Sequence, residues 1–346
     1  MIVIAQLANF VISINKNLQE TVSATYLMGS STFSVIKSWS VFKHRKQLMA
    51  LIDTLNRDEF KPRNKRQNKI LIEYIKISKF ITKLLASLVA ITGCFFVLHP
   101  FTVEDGPFLP LPAYLPFKAD KSPYFEMIFI GEIIGIITSA LCYLAVDVLF
   151  LGLLTAMCAQ LEILNDSLLN LGADTEIQNK AAIDYKRESE MMSIDLVRCI
   201  KQHRYILQFV NEIQSRFSVV TFGQFMLSVL VLCTTLYELS LLSQLDFYLG
   251  YMIIYLLLLL SDIFLPCYLG SAVFLKHQKL TSSAYHCEWI NTDEKFKKNL
   301  LYFLTISQKN LKISAGGYVT LSIDTFITIM KSSISYFTFL NKMTDI

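Results

Sequence analysis

Apolar residues run in long blocks along this chain, separated by short polar segments, and the length of each block is the first thing to read. A helix crossing about 30 Å of hydrocarbon at about 1.5 Å per residue needs roughly 20 mostly apolar residues. Residues 18–42, 70–98, 124–164, 217–240, 248–275 and 318–340 meet that length, and each predicts a membrane-spanning helix. The block at 124–164 exceeds one crossing, so its C-terminal third is expected to project from the bilayer. Between 165 and 215 charges of both signs are mixed. Ile194, Val197 and Ile200 keep a helical spacing there, which predicts an amphipathic helix in a bundle outside the membrane. Residues 99–123 hold most of the eight prolines and predict an irregular loop or lid. Residues 1–14 are apolar and uncharged but short for a crossing, and read as a truncated first helix. They lack the basic n-region and small-residue cleavage site of a signal peptide.

Composition agrees with a bilayer as solvent. Of 346 residues 53% are hydrophobic and 17% charged, with mean hydropathy +0.45, more apolar content than one soluble core requires. Basic residues then orient the spans. Lys43, Arg45, Lys46, Arg57, Lys61, Arg63, Lys65, Arg66 and Lys69 follow the first block, and Lys276, Lys279, Lys295, Lys297 and Lys298 follow the block at 248–275; both segments are expected in the cytosol. Lys76, Lys79 and Lys83 can snorkel back to the same side. The short acidic turn around Asp246 then lies outside, as does the tail after residue 340. A complete first helix would place the N-terminus in the cytosol and give seven spans; an incomplete one leaves six. A net charge of +4, spread over a few loops, gives no nucleic-acid surface.

Candidate chemistry is sparse. His44, His99, His203, His277 and His286 show no metal spacing, and there is neither a Ser/His/Asp constellation nor a phosphate-binding glycine loop. No cofactor, metal or catalytic residue is expected. The seven cysteines, among them Cys94, Cys142, Cys199, Cys233, Cys267 and Cys287, read as small buried hydrophobes. Asn165 begins a glycosylation sequon that the topology makes cytosolic and silent. Asp147, Asp262, Asp324 and Lys331 fall in or near spans; the first two are placed near cytosolic helix ends, where a structural role is favoured. Thr325, Thr328, Ser332, Ser335, Phe339 and Met343 share one face of the last helix, as a pore lining ending in an apolar gate would, or as small residues that permit close packing and bond their own backbone. The topology is opposite to that of G-protein-coupled receptors. A transporter is disfavoured by the lack of paired repeats with broken helices.

Several segments carry a resemblance. Pro266-Cys267-Tyr268-Leu269-Gly270-Ser271, Ala284-Tyr285-His286-Cys287-Glu288-Trp289, the run from Leu321 through Asp324 to Lys331, and Ser335-Tyr336-Phe337 closely resemble insect odorant receptors. Gln160-Leu161-Glu162-Ile163-Leu164, His203-Arg204-Tyr205 and Gly223-Gln224-Phe225 look like the same family. The resemblance implies an all-α, polytopic, seven-helix bundle of inverted topology with a cytoplasmic N-terminus. It further implies an odorant-gated, non-selective cation channel, formed with a co-receptor as a hetero-tetramer in the plasma membrane of olfactory sensory neuron dendrites. Residues 1–275 would form the ligand-binding bundle, 276–317 a cytoplasmic anchor, and 318–346 the pore-lining helix and a short tail. In this family the second, third, fourth and sixth helices enclose the odorant. Tyr26, Gly93, Val97, Ile134, Thr138, Tyr251 and Tyr255 are the implied contacts for a small volatile molecule, with Ser332, Ser335, Phe339 and Met343 at the pore and gate. The co-receptor's long insertion between the fourth and fifth helices is absent, so the chain resembles a ligand-tuning subunit. Gustatory receptors, the rival within the superfamily, usually end their last helix in Thr-Tyr followed by Gln-Phe, where this chain has Ser335-Tyr336 and Asn341-Lys342-Met343.

Overall fold

The computed structural model describes residues 18–98, 124–171, 184–241, 247–290 and 292–344. The expectations for residues 1–14 and for the proline-rich segment 99–123 fall outside them. The described residues form seven helices, α1 (Leu18–Thr54), α2 (Lys65–Leu98), α3 (Tyr124–Leu169), α4 (Asp184–Leu241), α5 (Phe247–Tyr285), α6 (Glu294–Ser307) and α7 (Ile323–Thr344). A hairpin of two short strands, β1 (Ser314–Ala315) and β2 (Val319–Thr320), precedes α7. Helices α2, α3, α4 and α5 are each long and apolar enough to cross a bilayer. Lys37 in α1, and Asp324, Lys331 and Lys342 in α7, make those two helices more polar.

Two expected boundaries are absent. The basic stretch after residue 42 continues α1 to Thr54, because Lys, Arg, Gln, Leu, Met and Ala all favour helix; the chain turns only at Asn56 and Arg57, where a 3-10 turn (Asp58–Phe60) precedes Pro62. Likewise the expected separation of the 165–215 bundle from the span at 217–240 does not occur. Helix α4 runs through it for 58 residues, since Arg216 ends the charged stretch without a Gly or Pro to break the backbone.

Two halves of the bundle pack differently. In one half the buried positions follow a heptad: Leu154, Met157, Leu161, Leu164 and Leu168 on α3, and Leu196, Cys199, His203, Ile206, Val210, Ile213 and Phe217 on α4. Alternating steps of three and four place each set on one seam, the pattern of knobs-into-holes packing. Val273, Leu280 and Ala284 of α5, with Phe296 and Phe303 of α6, complete this core. Full burial of each large aliphatic or aromatic side chain contributes roughly 1.5–3 kcal/mol. The expected Ile194–Val197–Ile200 stripe is not the core face: Ile194 is exposed, and the seam runs one step round the helix. In the other half large apolar side chains such as Trp39, Phe80, Met127 and Val219 lie open on the surface, as lipid contact allows and water does not.

The cysteines divide the same way. All seven are free; Cys158, Cys199, Cys233, Cys267 and Cys287 are buried as expected, whereas Cys94 and Cys142 are exposed on the apolar exterior. Asn165 lies within α3, half-buried, and its side-chain oxygen accepts from Ser283 Oγ.

Candidate ligand site

In the lipid-facing half, α1, α2, α3, α4 and α5 surround a cavity of about 260 Å³. Helical periodicity builds its walls. Val89, Thr92, Gly93 and Phe96 come from α2 at i, i+3, i+4 and i+7, and Tyr251, Tyr255, Leu258 and Asp262 recur with similar steps on α5. Helix α3 supplies Gly135, Ile136, Ser139, Ala140 and Tyr143. Helix α4, which the resemblance leaves out of the pocket, supplies Gln224, Leu227, Ser228 and Val231.

Most of that wall is apolar or already satisfied. The Thr92 hydroxyl donates to the Leu88 carbonyl at 2.8 Å, and Ser34 Oγ donates to the Ser139 carbonyl at 3.1 Å, joining α1 to α3. Tyr251 stacks on Tyr255 with ring centroids 6.0 Å apart and meets Phe96 at 5.8 Å. At Gly93 an added Cβ would meet nothing within 4 Å, so the glycine leaves room in the cavity rather than permitting a tight contact.

One end of the cavity abuts a buried ion pair. Lys37 of α1 is buried and paired with Asp147 of α3, and its Nζ lies 3.8 Å from the centre of the Tyr143 ring. Tyr143 and Asp262, a second carboxyl side chain, both stand on the cavity wall. The backbone beside it is unusual for a physical reason. Pro266 lacks an N–H, so the Asp262 carbonyl four residues earlier loses its helical donor, and Gln224 Nε2 from α4 donates to it at 3.4 Å. Asp147 and Asp262 therefore stand at mid-helix within the bundle, not at cytosolic ends. Asp147 has the structural role expected of it, while Asp262 faces the cavity.

Of the residues assigned to ligand contact from sequence, Gly93, Tyr251 and Tyr255 line the cavity. Ile134 and Thr138 do not: both are exposed, and their neighbours Gly135 and Ser139 point inward, about 100° round the helix. Val97 is half-buried at the end of α2 and lines no part of the cavity, its neighbour Phe96 doing so instead. Tyr26 belongs to α1, but its side chain lies outside the described residues. Lys37, Tyr143 and Asp262 were missed as a group. The available signal was Asp262, an ionisable residue placed near a cytosolic helix end although it falls at the middle of the span 248–275.

The last helix is held by contacts that explain two of the sequence motifs. A Cβ on Gly270 would come within 2.5 Å of Leu321 Cβ, so only glycine lets Leu321 rest on α5. Next to it, Ser271 Oγ accepts the backbone N–H of Ile323, an orphan donor in the first turn of α7, at 3.1 Å. The hairpin before α7 turns through Gly316 and Gly317, with φ of 63° and 78°, and Gly316 N donates to the Ser218 carbonyl of α4 at 2.9 Å. Along α7, Thr328 and Ser332 hydroxyls donate to the carbonyls four residues earlier. Ser335 and Phe339 are exposed, and the Met343 side chain lies outside the described residues. Asp324 and Lys331 are also exposed and make no ion pair among the described residues. No cluster of metal-ligating groups occurs among the described residues.

Comparison with known proteins fits this architecture. The family model for the 7tm odorant receptor matches residues 17–334. Odorant receptor Or1 of Anopheles gambiae is 23% identical over 347 aligned residues, covering 95% of this chain and 82% of that protein. Odorant receptor 22a of Drosophila melanogaster is 24% identical over 317, covering 90% and 74%. The insect olfactory receptor OR5 from Machilis hrabei, solved in complex with eugenol, superposes with a TM-score of 0.86 at 17% identity, covering 99% of this chain and 86% of that one. A helical architecture with bilayer-length apolar helices and a family match over most of its length together place this chain in the 7tm odorant receptor family, as a multi-pass membrane receptor and not an enzyme.

Proposed function

We propose that this odorant receptor is the ligand-tuning subunit of an odorant-gated, non-selective cation channel, completed by a co-receptor in the plasma membrane of the sensory dendrite. The observation that carries the reading is the cavity of about 260 Å³ among α1 to α5, small, mainly apolar and built on rigid helices. Such a site suits a small molecule with few polar groups. Eugenol in the structure of the Machilis hrabei receptor is a molecule of that kind.

Opening follows from differential affinity. A ligand that the open arrangement holds more tightly shifts the closed-to-open equilibrium by that difference. The route to a pore is short, because α5 carries both Asp262 on the cavity wall and Gly270, on which the entry to α7 rests. The α7 face bearing Asp324, Thr328, Lys331, Ser335 and Phe339 is uncovered in the single chain, which supports its meeting other subunits around a pore. Residues 276–317 would anchor that assembly in the cytosol, with the N-terminus on the same side, in keeping with the basic residues at 43–69 and 276–298.

The test is whole-cell current in cells expressing this chain with and without an insect odorant co-receptor, during perfusion of a broad volatile panel. The reading requires odour-evoked cation current that depends on both subunits. Saturable uptake of a ligand without channel current would replace it with transport.

A further inference from the structure

At one end of the cavity Tyr143 and Asp262 line the wall, and the Lys37–Asp147 pair stands against the Tyr143 ring. The cluster contains one basic side chain and two carboxylates. Lys37 is committed to Asp147 Oδ1 and to the face of the Tyr143 ring. The other Asp147 oxygen, Oδ2, is buried without a hydrogen-bond partner among the described residues. Asp262 lines the cavity, and its side chain makes no ion pair among the described residues. Two carboxyl groups thus stand beside one cation, and that cation is turned to Asp147, in a setting where an uncompensated acceptor is costly. Among the described residues, the charged groups near this end are Lys37 on α1, Asp147 on α3 and Asp262 on α5. The wall contributed by α2 holds no ionisable side chain, and that of α4 offers Gln224, whose amide is already directed to the Asp262 carbonyl.

Resting on the cavity reading above, we propose that this receptor is tuned to small, mainly apolar ligands that bring one hydrogen-bond donor, an N–H or O–H, to the Asp262 carboxylate. Ligands that can only accept, such as ethers, ketones and esters, leave that carboxylate unanswered and add a further acceptor beside it. The difference is asymmetric because a site built around a buried polar group rejects an analogue that leaves the group unpaired more strongly than an apolar wall rejects a changed methylene. Gly93, Phe96, Tyr251 and Tyr255 then enclose the apolar body, while the donor points toward Asp262.

Matched probes test the idea: benzyl alcohol and benzylamine as donors, with benzyl methyl ether and benzaldehyde as acceptor-only counterparts. Half-maximal concentrations for co-receptor-dependent current should be at least about tenfold lower for the donors. Asp262→Asn should erase that ratio at equal surface expression, and Asp262→Glu should largely restore it. Equal potency of the two classes, or a ratio unchanged in Asp262→Asn, would overturn the proposal. Gly93→Phe, which has space to enter the cavity, separates this from the underlying reading: it should depress responses to both classes alike. If it leaves all responses intact, the cavity is not the ligand site and both conclusions fall.

Discussion

Nε2 of His203 lies 2.9 Å from Nε2 of His277, with the two rings stacked at 5.1 Å and the Phe303 ring set edge-on against His203. This contact ties α4, α5 and α6 together beyond the membrane-spanning lengths of α4 and α5. One ring must donate and the other accept, so the accepting imidazole must be neutral and protonation of both rings breaks the contact. Both groups are lowered from 6.5 to about 4, chiefly by burial and, for His203, also by the neighbouring His277 ring.

The sign of the resulting pH dependence is fixed. In the unfolded chain each histidine takes up a proton near pH 6.5, whereas the folded pair resists protonation until about pH 4. Stability from the pair is therefore complete above pH 6.5 and is lost as pH falls from 6.5 toward 4. Purified receptor in detergent should lose about 2 kcal/mol per histidine, about 4 kcal/mol for the pair, between pH 7 and pH 5. The His203→Gln/His277→Gln variant should show a shallower dependence when thermal unfolding is followed across that range. A slope the same as that of the parent would exclude the pair as its source.

Gly270→Ala tests the docking of the last helix. Its Cβ would meet Leu321 Cβ and the Leu321 carbonyl oxygen at 2.5 Å, and neither can rotate away as a flexible side-chain end could. A shift of the hairpin or of α7 is required, at about 1–3 kcal/mol. Lower thermal stability with weakened current is expected. Gly317→Ala provides a contrast, since its φ of 78° strains any side chain but no atom lies within 4 Å of the added Cβ.

These residues also show what could be read without coordinates. Helices α2 and α3 were legible because apolar length alone identifies a crossing. The junction near residue 216 was misread because the change from charged to apolar composition marks a change of solvent, and the backbone of α4 passes through it unbroken. Facing was harder. Helix α3 is apolar on all sides through its first half, so nothing in the pattern distinguishes Ile134 and Thr138 from Gly135 and Ser139. Phe96 and Val97 differ by the same single step. The ionic end of the cavity depends on three helices meeting, which no one segment encodes, although an intramembrane lysine is itself a pointer to a carboxylate partner.

Lys37→Met addresses that ionic end directly. The pair is almost wholly enclosed, with side-chain exposures of 3% for Lys37 and 10% for Asp147. Removing the cation leaves a buried carboxylate unpaired, which costs about 3–5 kcal/mol, whereas replacing both partners by apolar residues of similar size is often neutral. Surface expression should fall sharply for Lys37→Met and recover at least in part for Lys37→Met/Asp147→Leu. Failure of the double variant to recover would mean that the pair also positions Tyr143 and Asp262, and odour tuning would then change with it.

The final prediction concerns α7. Ser335 and Phe339 are exposed in the single chain, Phe339 at 61%. An aromatic side chain left open on a helix is accounted for either by lipid or by a pore constriction formed with other subunits. The two differ in what truncation does. On a lipid-facing surface Phe339→Ala should leave conductance and selectivity as they are. At a pore constriction the same change, and Met343→Ala one helical turn on, widens an apolar gate that holds the pore closed by excluding water. Raised basal current or altered cation selectivity in co-receptor-containing cells is the expected outcome, and unchanged currents in both variants would remove α7 from the gate.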